Sequence, residues 1–256
     1  MDKGKYISRR QALKTMGTLA AGAGLGISNL YSANSTSILD NQENRRKMKV
    51  LLVNGSPHKD GCTYTALNEV SGTLNKNGIE TDFFWIGTDP IAGCIGCNAC
   101  KTTGKCFRND VVNEFIDKID DYDGFVFGSP VHFGTVAGGM LSFMDRAFYI
   151  GAIQHPKIMG KPGATIVSCR REGSTATLDQ LNKYIIGNNM PMVPSQLWNV
   201  VHGNTPDEVR QDKEGLQIMR TLAQNMGWMM KCIEAGREAG IHRPIYEEFT
   251  PTNFIR

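Results

Sequence analysis

The chain has 256 residues, of which 41% are hydrophobic, 21% charged and 8% aromatic. This composition is typical of a globular protein, and the length suffices for one α/β domain with a sizeable core. A disordered chain, a collagen and a small disulfide scaffold are therefore excluded. The formal net charge is +3, a mildly basic balance.

The positive charge is concentrated near the N-terminus. Residues 1–33 hold five basic side chains and one acidic side chain, a net charge of +4, which leaves −1 for residues 34–256. A nucleic-acid-binding protein carries its basic surplus on the folded domain. We therefore expect no nucleic acid among the partners.

Residues 1–33 have the organisation of a targeting segment, with a basic stretch, a weakly apolar run and a polar stretch. The sequence SRRQALK beginning at Ser8 resembles the twin-arginine export motif, with Ala12 where Phe is usual. The apolar run over 15–27 is shorter than the ~20 residues of a transmembrane helix. We expect export to the periplasm or another extracytoplasmic compartment, or a cytoplasmic location if the segment is only a basic tail.

From residue 48 onward, short apolar runs alternate with stretches of helical periodicity. This alternation predicts a parallel sheet with helical crossovers. The polar residues 34–47 indicate a linker, the domain extends over 48–240, and a tail follows over 241–256. Strands are predicted at 50–53, 79–86, 124–128, 164–167 and 192–198, and helices at 63–76, 111–119, 138–149, 176–186 and 207–235.

Three loops at predicted strand ends are unusual, and ligands of an open parallel sheet bind at such ends. The loop over 54–65 opens directly into a helix, whose N–H groups and nearby hydroxyls suit a single phosphate. It contains neither Gly-x-Gly-x-x-Gly nor the Lys-Ser/Thr pair of a P-loop. The loops over 128–136 and 168–174 follow the third and fourth strands, and the former carries small residues with an aromatic side chain that could cover a flat ring.

With these loops in this order, the sequence resembles the NAD(P)H-dependent FMN reductase branch of the flavodoxin-like superfamily. The most specific match is Ser-Pro-Val-His-Phe-Gly over 129–134, before a helix that contains Asp145-Arg146. The resemblance implies an α/β flavodoxin-like three-layer fold with a five-stranded parallel sheet. It also implies FMN as the cofactor and NAD(P)H as a possible electron donor.

The same resemblance implies which residues bind FMN. His132 stands where the family has Tyr. His58 stands where Arg is frequent and Cys62 where Asn is frequent, so we expect these two residues to contact the phosphate through their backbone. No catalytic acid or base is expected, because a flavin supplies the redox chemistry itself; His132 has the alternative of a loop residue without a proton role. The implied phosphate contacts are Ser56, His58, Cys62 and Thr63, and the implied ring contacts are Pro130, Val131, His132, Phe133, Gly134, Ser168, Arg170 and Arg171.

Four of the seven cysteines, Cys94, Cys97, Cys100 and Cys106, follow the spacing C-x2-C-x2-C-x5-C. Four thiolates from one compact loop can hold an iron–sulfur cubane. The longer last gap resembles the iron–sulfur flavoproteins, a subgroup of the same superfamily, which implies a [4Fe–4S] cluster on these residues. A zinc site, disulfides or an empty reduced loop are the alternatives.

These features predict an FMN-dependent oxidoreductase that transfers electrons between its flavin and a small-molecule or protein acceptor. By resemblance we expect a homodimer or tetramer. The second hypothesis is an exported electron carrier without a substrate of its own, because NAD(P)H is not expected outside the cytoplasm. A ligand-binding domain that has lost its flavin is the third.

Overall fold

The computed structural model describes residues 46–153, 157–248, 250–252 and 254. The predicted signal segment and all but the end of the predicted linker lie outside these residues. The strands are β1 (Lys49–Asn54), β2 (Glu80–Trp85), β3 (Gly124–His132), β4 (Thr135–Val136), β5 (Gly163–Cys169) and β6 (Val200–His202). The helices are α1 (Cys62–Lys76), α2 (Cys100–Thr103), α3 (Val111–Lys118), α4 (Gly138–Ile153), α5 (Ser174–Gly187), α6 (Pro206–Gln211) and α7 (Lys213–Glu238).

The sheet has five parallel strands in the order β2-β1-β3-β5-β6. The short strand β4 pairs with β3 in the antiparallel sense and extends the sheet beyond this path. The predicted α/β fold with five parallel strands is confirmed. The order reverses direction beside β1, so the strand ends there form the kind of crevice in which ligands of doubly wound sheets bind.

Both faces of the sheet are covered by helices. In β1, Leu51 and Val53 belong to one core cluster, and Val50 and Leu52 to the other, because successive side chains of a strand point to opposite faces. The first cluster includes buried residues of α3, α4 and α5, and the second includes those of α1 and α7. This arrangement gives three layers, helices on a sheet on helices.

The fifth parallel strand lies later in the chain than predicted. Met192 makes only an isolated bridge with Gly163, although Val193 N also donates to the Gly163 carbonyl at 2.9 Å. Pro194 has no N–H to continue that ladder. Pairing with β5 is therefore established only from Val200.

The single long helix predicted over 207–235 is two helices. Asp212 separates them with φ −73° and ψ 80°, outside helical geometry, and its carboxylate accepts from Gly215 N at 2.9 Å at the start of α7. The buried side of α7 is formed by Met219, Leu222, Met226 and Met230, whereas Ile233 is exposed. None of the helices in the described part of the chain is both long and apolar enough to cross a membrane.

Candidate functional site

The loop after β1 is held in shape by hydrogen bonds to its own side chains and to β2. The Asn54 side chain accepts from Ser56 N at 3.0 Å and donates to the Lys59 carbonyl at 2.9 Å. His58 N donates to Ser56 Oγ at 3.1 Å, and Trp85 Nε1 donates to the Ser56 carbonyl at 2.8 Å. The loop is therefore preorganised, and it reaches α1 with its backbone fixed.

Helix α1 begins with an N-terminus suited to an anion. Its N-cap is Gly61, which has no side chain to accept from the first turn, and that turn contains no acidic residue. The first N–H groups of a helix have no partner within the helix, and the helix dipole adds positive charge there. By contrast, α3 is capped by the Asp110 carboxylate, which accepts from Val112 N. The N-terminus of α1 thus fits a phosphate.

The segment over 128–136, which the sequence predicts as a loop, is a β-hairpin formed by the end of β3 and by β4. Strand β3 continues to His132, and the chain turns at Phe133 and Gly134, with φ +49° and +78°, into β4. The Phe133 side chain is fully exposed. Ser129 Oγ accepts from Ala137 N at 3.2 Å and joins the two sides of the hairpin.

The three loops contact one another. Thr63 Oγ1, at the start of α1, lies 2.8 Å from Ser168 Oγ near the end of β5, and both residues are buried. Gly173 has φ +82°, and a Cβ placed there would lie 2.5 Å from the Cα of Gly134. The loop after β1, the hairpin and the loop after β5 therefore meet at one end of the sheet.

The implied FMN contacts differ in exposure. The Cys62 thiol donates to the Gly203 carbonyl at 3.7 Å, and burial raises its pKa, so Cys62 faces the loop after β6. Ser56, Thr63 and Ser168 are buried, Pro130 and Val131 are half-buried, and His58, His132, Phe133, Gly134, Arg170 and Arg171 are exposed.

An open cleft of about 920 Å³ lies beside the phosphate loop. Its walls include Gly55, residues 86–91 after β2, His132 and the first turns of α4. Sequence analysis missed residues 86–91, although they follow a strand that ends at the same edge of the sheet. Gly55 is required here, because a Cβ at this position would lie 2.5 Å from the sulfur of Met140.

The four clustered cysteines line one cavity. Cys94 and Cys97 are exposed, Cys106 is half-buried and Cys100 is buried, and all seven cysteines of the chain are free thiols. Burial raises the pKa of Cys100, and the proximity of the other three cysteines adds to this increase. Among the residues that the structure describes, no three His, Cys, Asp or Glu side chains are arranged to hold a metal ion.

Side chains of α3 and α4 anchor the cysteine loop. Asn113 accepts from Cys106 N and donates to the Cys106 carbonyl, both at 2.9 Å. Tyr149 donates to the Asn98 side chain at 2.7 Å, and Arg146 donates to the carbonyls of residues on both sides of the loop. Sequence analysis missed Asn113 and Tyr149, and it used Arg146 only as part of the family motif, although a charged side chain in an otherwise apolar helix indicates a buried partner.

Comparison with known proteins identifies the family. Residues 48–205 match the family described as NADPH-dependent FMN reductase. The chain belongs to this family. It is 31% identical over 194 residues to an iron–sulfur flavoprotein of Methanocaldococcus jannaschii, a match that covers 73% of this chain and all of the relative. A second iron–sulfur flavoprotein of that organism is 30% identical over 68% of this chain and 92% of its own length.

Solved structures of other flavoproteins share the fold of this family member. An NAD(P)H:quinone oxidoreductase from Methanothermobacter marburgensis superposes with a TM-score of 0.54 at 14% identity, over 71% of this chain and all of that chain. This likeness supports the flavodoxin-like fold alone. Family membership and the flavoprotein relatives together make the chain an FMN-dependent oxidoreductase that exchanges electrons with a redox partner or acceptor.

Proposed function

We propose that the protein binds FMN across the three contacting loops and a [4Fe–4S] cluster on Cys94, Cys97, Cys100 and Cys106, and that it passes electrons between them and an external partner. The observation that carries the FMN part is the contact of the uncapped start of α1 with the end of β5 through Thr63 and Ser168. Bound FMN would supply the one- and two-electron chemistry.

The residues of the chain have separate tasks in this proposal. Ser56 and the first N–H groups of α1 bind the phosphate, since they offer donors and no competing carboxylate. The hairpin at Phe133 and Gly134 covers the ring, and the loop with Arg170 and Arg171 closes over it. The hairpin contact of Gly173 keeps these two loops together.

The chemistry of the cysteine loop fits an iron–sulfur cluster. Four soft sulfur ligands line one cavity, and the side chains that anchor the loop bond to its backbone and to the Asn98 amide; Cys94 Sγ accepts from Gly96 N at 3.5 Å, which is compatible with a role as a ligand. The spacing is too compact for the two separated knuckles of a usual zinc site. The names of the two Methanocaldococcus relatives favour the same choice.

Anaerobic purification followed by FMN, iron and acid-labile sulfide analysis tests this proposal. We expect bound FMN together with iron and sulfide in equal amounts. Replacement of Cys97 by Ser should remove most of the iron and leave the FMN content unchanged, whereas Cys232→Ser, on the exposed side of α7, is the matched control. Wild-type protein with FMN but without iron and sulfide would contradict the cluster.

We propose that NAD(P)H reduces the flavin of protein that remains in the cytoplasm. In exported protein, we propose that a protein partner reduces it. The family match supports NADPH. Anaerobic stopped-flow reduction distinguishes them. Rapid bleaching of the flavin by NADPH supports the reductase, and flavin that only a protein reductant reduces supports the electron carrier.

We propose that residues 1–33 direct export by the twin-arginine route. Support comes from the paired Arg9 and Arg10 before an apolar run. Replacing both by Lys should keep the protein in the cytoplasm of a host with this pathway. The pair Arg45 and Arg46 offers a matched control, since its replacement by Lys should leave export unchanged; equal fractionation of both variants would contradict the proposal.

We also propose a homodimer or tetramer. Trp228 and Ile241 are 67% and 72% exposed beside an open groove along α7, and large apolar side chains exposed together are what a partner subunit would cover. Sedimentation velocity of the holoprotein tests this, and a monomer at micromolar concentration would contradict it.

A further inference from the structure

Arg146 is the only charged side chain that is buried among the residues the structure describes. Only 1% of its side chain is exposed, and it lines the cavity of the four clustered cysteines. Burial of a charge is costly unless partners compensate for it. The position of this cation beside the cysteines therefore requires an explanation.

The Arg146 guanidinium connects the two ends of the cysteine loop. Its Nη1 donates to the Ala92 carbonyl at 3.4 Å, before Cys94, and its Nη2 donates to the Arg108 carbonyl at 3.2 Å, after Cys106. It also makes a two-pronged pair with the Asp110 carboxylate, at 2.6 and 2.9 Å. This planar fork fixes the separation of the loop ends as a single point charge could not.

These partners do not fully neutralise the charge of Arg146, and they do not satisfy all of its hydrogen-bond donors. The Asp110 side chain is 31% exposed and also accepts from Val112 N at the start of α3. The Nε–H of Arg146 is buried and has no nitrogen or oxygen acceptor within the described part of the chain, and the guanidinium lies within interaction distance of the Cys106 sulfur. Buried donors are nearly always paired, and the acceptor beside this one is a sulfur of the cavity that the four cysteines line.

We propose that Arg146 positions the cysteine loop and stabilises the anionic group that the four thiolates hold, by its charge and by its guanidinium N–H donors. This inference rests on the proposed cluster. A cluster with four thiolate ligands is anionic and becomes more so on reduction, so a buried cation beside it favours the reduced form. Arg146 thus raises the reduction potential of the cluster.

The test is an EPR-monitored redox titration of anaerobically reconstituted holoprotein, with the FMN spectrum as the check of folding. Arg146→Gln removes the charge, and we expect the reduced-to-oxidised ratio of the cluster at a fixed potential to fall about tenfold, or about 59 mV for one electron. Arg146→Lys retains the charge and should keep a potential near wild type while losing iron faster. Arg237→Gln removes the same charge from an exposed side chain of α7, on the other face of the sheet, and as the control should leave the potential unchanged.

If Arg146→Gln does not fold, the double variant Asp110→Asn/Arg146→Gln is compared with the single variant Asp110→Asn, which gives the same comparison without an unpaired carboxylate. A wild-type reduction potential in the variants without the charge would overturn the inference, because Arg146 would then only anchor the loop. The proposal of a cluster would still stand. Wild-type protein that holds FMN but no iron or sulfide would overturn the cluster itself, and the inference with it.

Discussion

At the scale of single residues, Gly173 shows how closely the two loops around the proposed flavin site approach each other. Its φ of +82° and its contact with the Gly134 backbone leave no space for a Cβ. The sequence motif Ser-Pro-Val-His-Phe-Gly predicts that the segment before α4 contributes to the site. It does not predict this contact, because the approach of two loops depends on the tertiary structure.

Replacement of Gly173 by Ala should weaken FMN binding about tenfold and destabilise the protein by roughly 1–3 kcal/mol, since the hairpin must move away. Gly72→Ala is the matched control, because a Cβ on this exposed side of α1 meets nothing within 4 Å. The control should be neutral or more stable by about 0.5–1 kcal/mol. Fluorescence titration with FMN and urea unfolding measure both effects; equal affinities in the two variants would argue against the site.

The buried hydroxyl pair of Thr63 and Ser168 connects the phosphate loop to β5. Thr63→Val leaves a buried hydroxyl without its partner and should cost about 1–3 kcal/mol of unfolding free energy. In the double variant Thr63→Val/Ser168→Ala, part of the lost unfolding free energy should be recovered. A double-mutant cycle by urea denaturation gives the coupling, and strictly additive changes would show that the hydroxyls do not interact.

At the scale of elements, strands and helices with strong periodicity are predictable from the sequence, whereas their ends depend on single side chains. Leu67, Val70 and Leu74 are buried on α1 as the spacing predicts. The start of the fifth strand and the break of the last helix are not predictable in this way, because they follow from Pro194 and from the cap that Asp212 forms. The cysteine spacing likewise predicts one cavity, but not its anchors.

Asp212 joins the start of α7 to β6 by accepting from Gly215 N at 2.9 Å and from His202 N at 2.7 Å. Asp212→Ala should therefore cost about 1–2 kcal/mol, at the upper end of the range for a helix cap. Thr205→Ala, which removes the cap of the shorter α6, should cost less. Thermal unfolding of both variants tests this order, and an equal or larger loss in Thr205→Ala would refute it.

At the scale of the whole molecule, buried thiols make stability fall at alkaline pH. Burial raises the pKa of Cys169 above its usual value of 9.0, so the folded protein binds this proton more tightly than the unfolded chain. The protonated Cys169 thiol therefore contributes to the free energy of unfolding in full below about pH 9, and this contribution is lost as the pH rises from about 9 toward the higher pKa of the folded state.

Cys169→Ala should accordingly show a flatter decline of unfolding free energy than wild type between about pH 8 and pH 10.5. Denaturant unfolding of the reduced protein at several pH values measures the slope. Cys232→Ala replaces an exposed thiol and should keep the wild-type slope. The same slope in Cys169→Ala as in wild type would contradict a raised pKa at this position.

The domain from residue 48 onward is, on this account, a scaffold that brings three loops to one phosphate-binding helix start. FMN titration of the purified full chain, followed by quenching of flavin fluorescence, tests that claim most directly. We expect saturation at one FMN per chain, with binding weakened in Gly173→Ala and unchanged in Gly72→Ala. A colourless protein that leaves added FMN fully fluorescent would contradict the account.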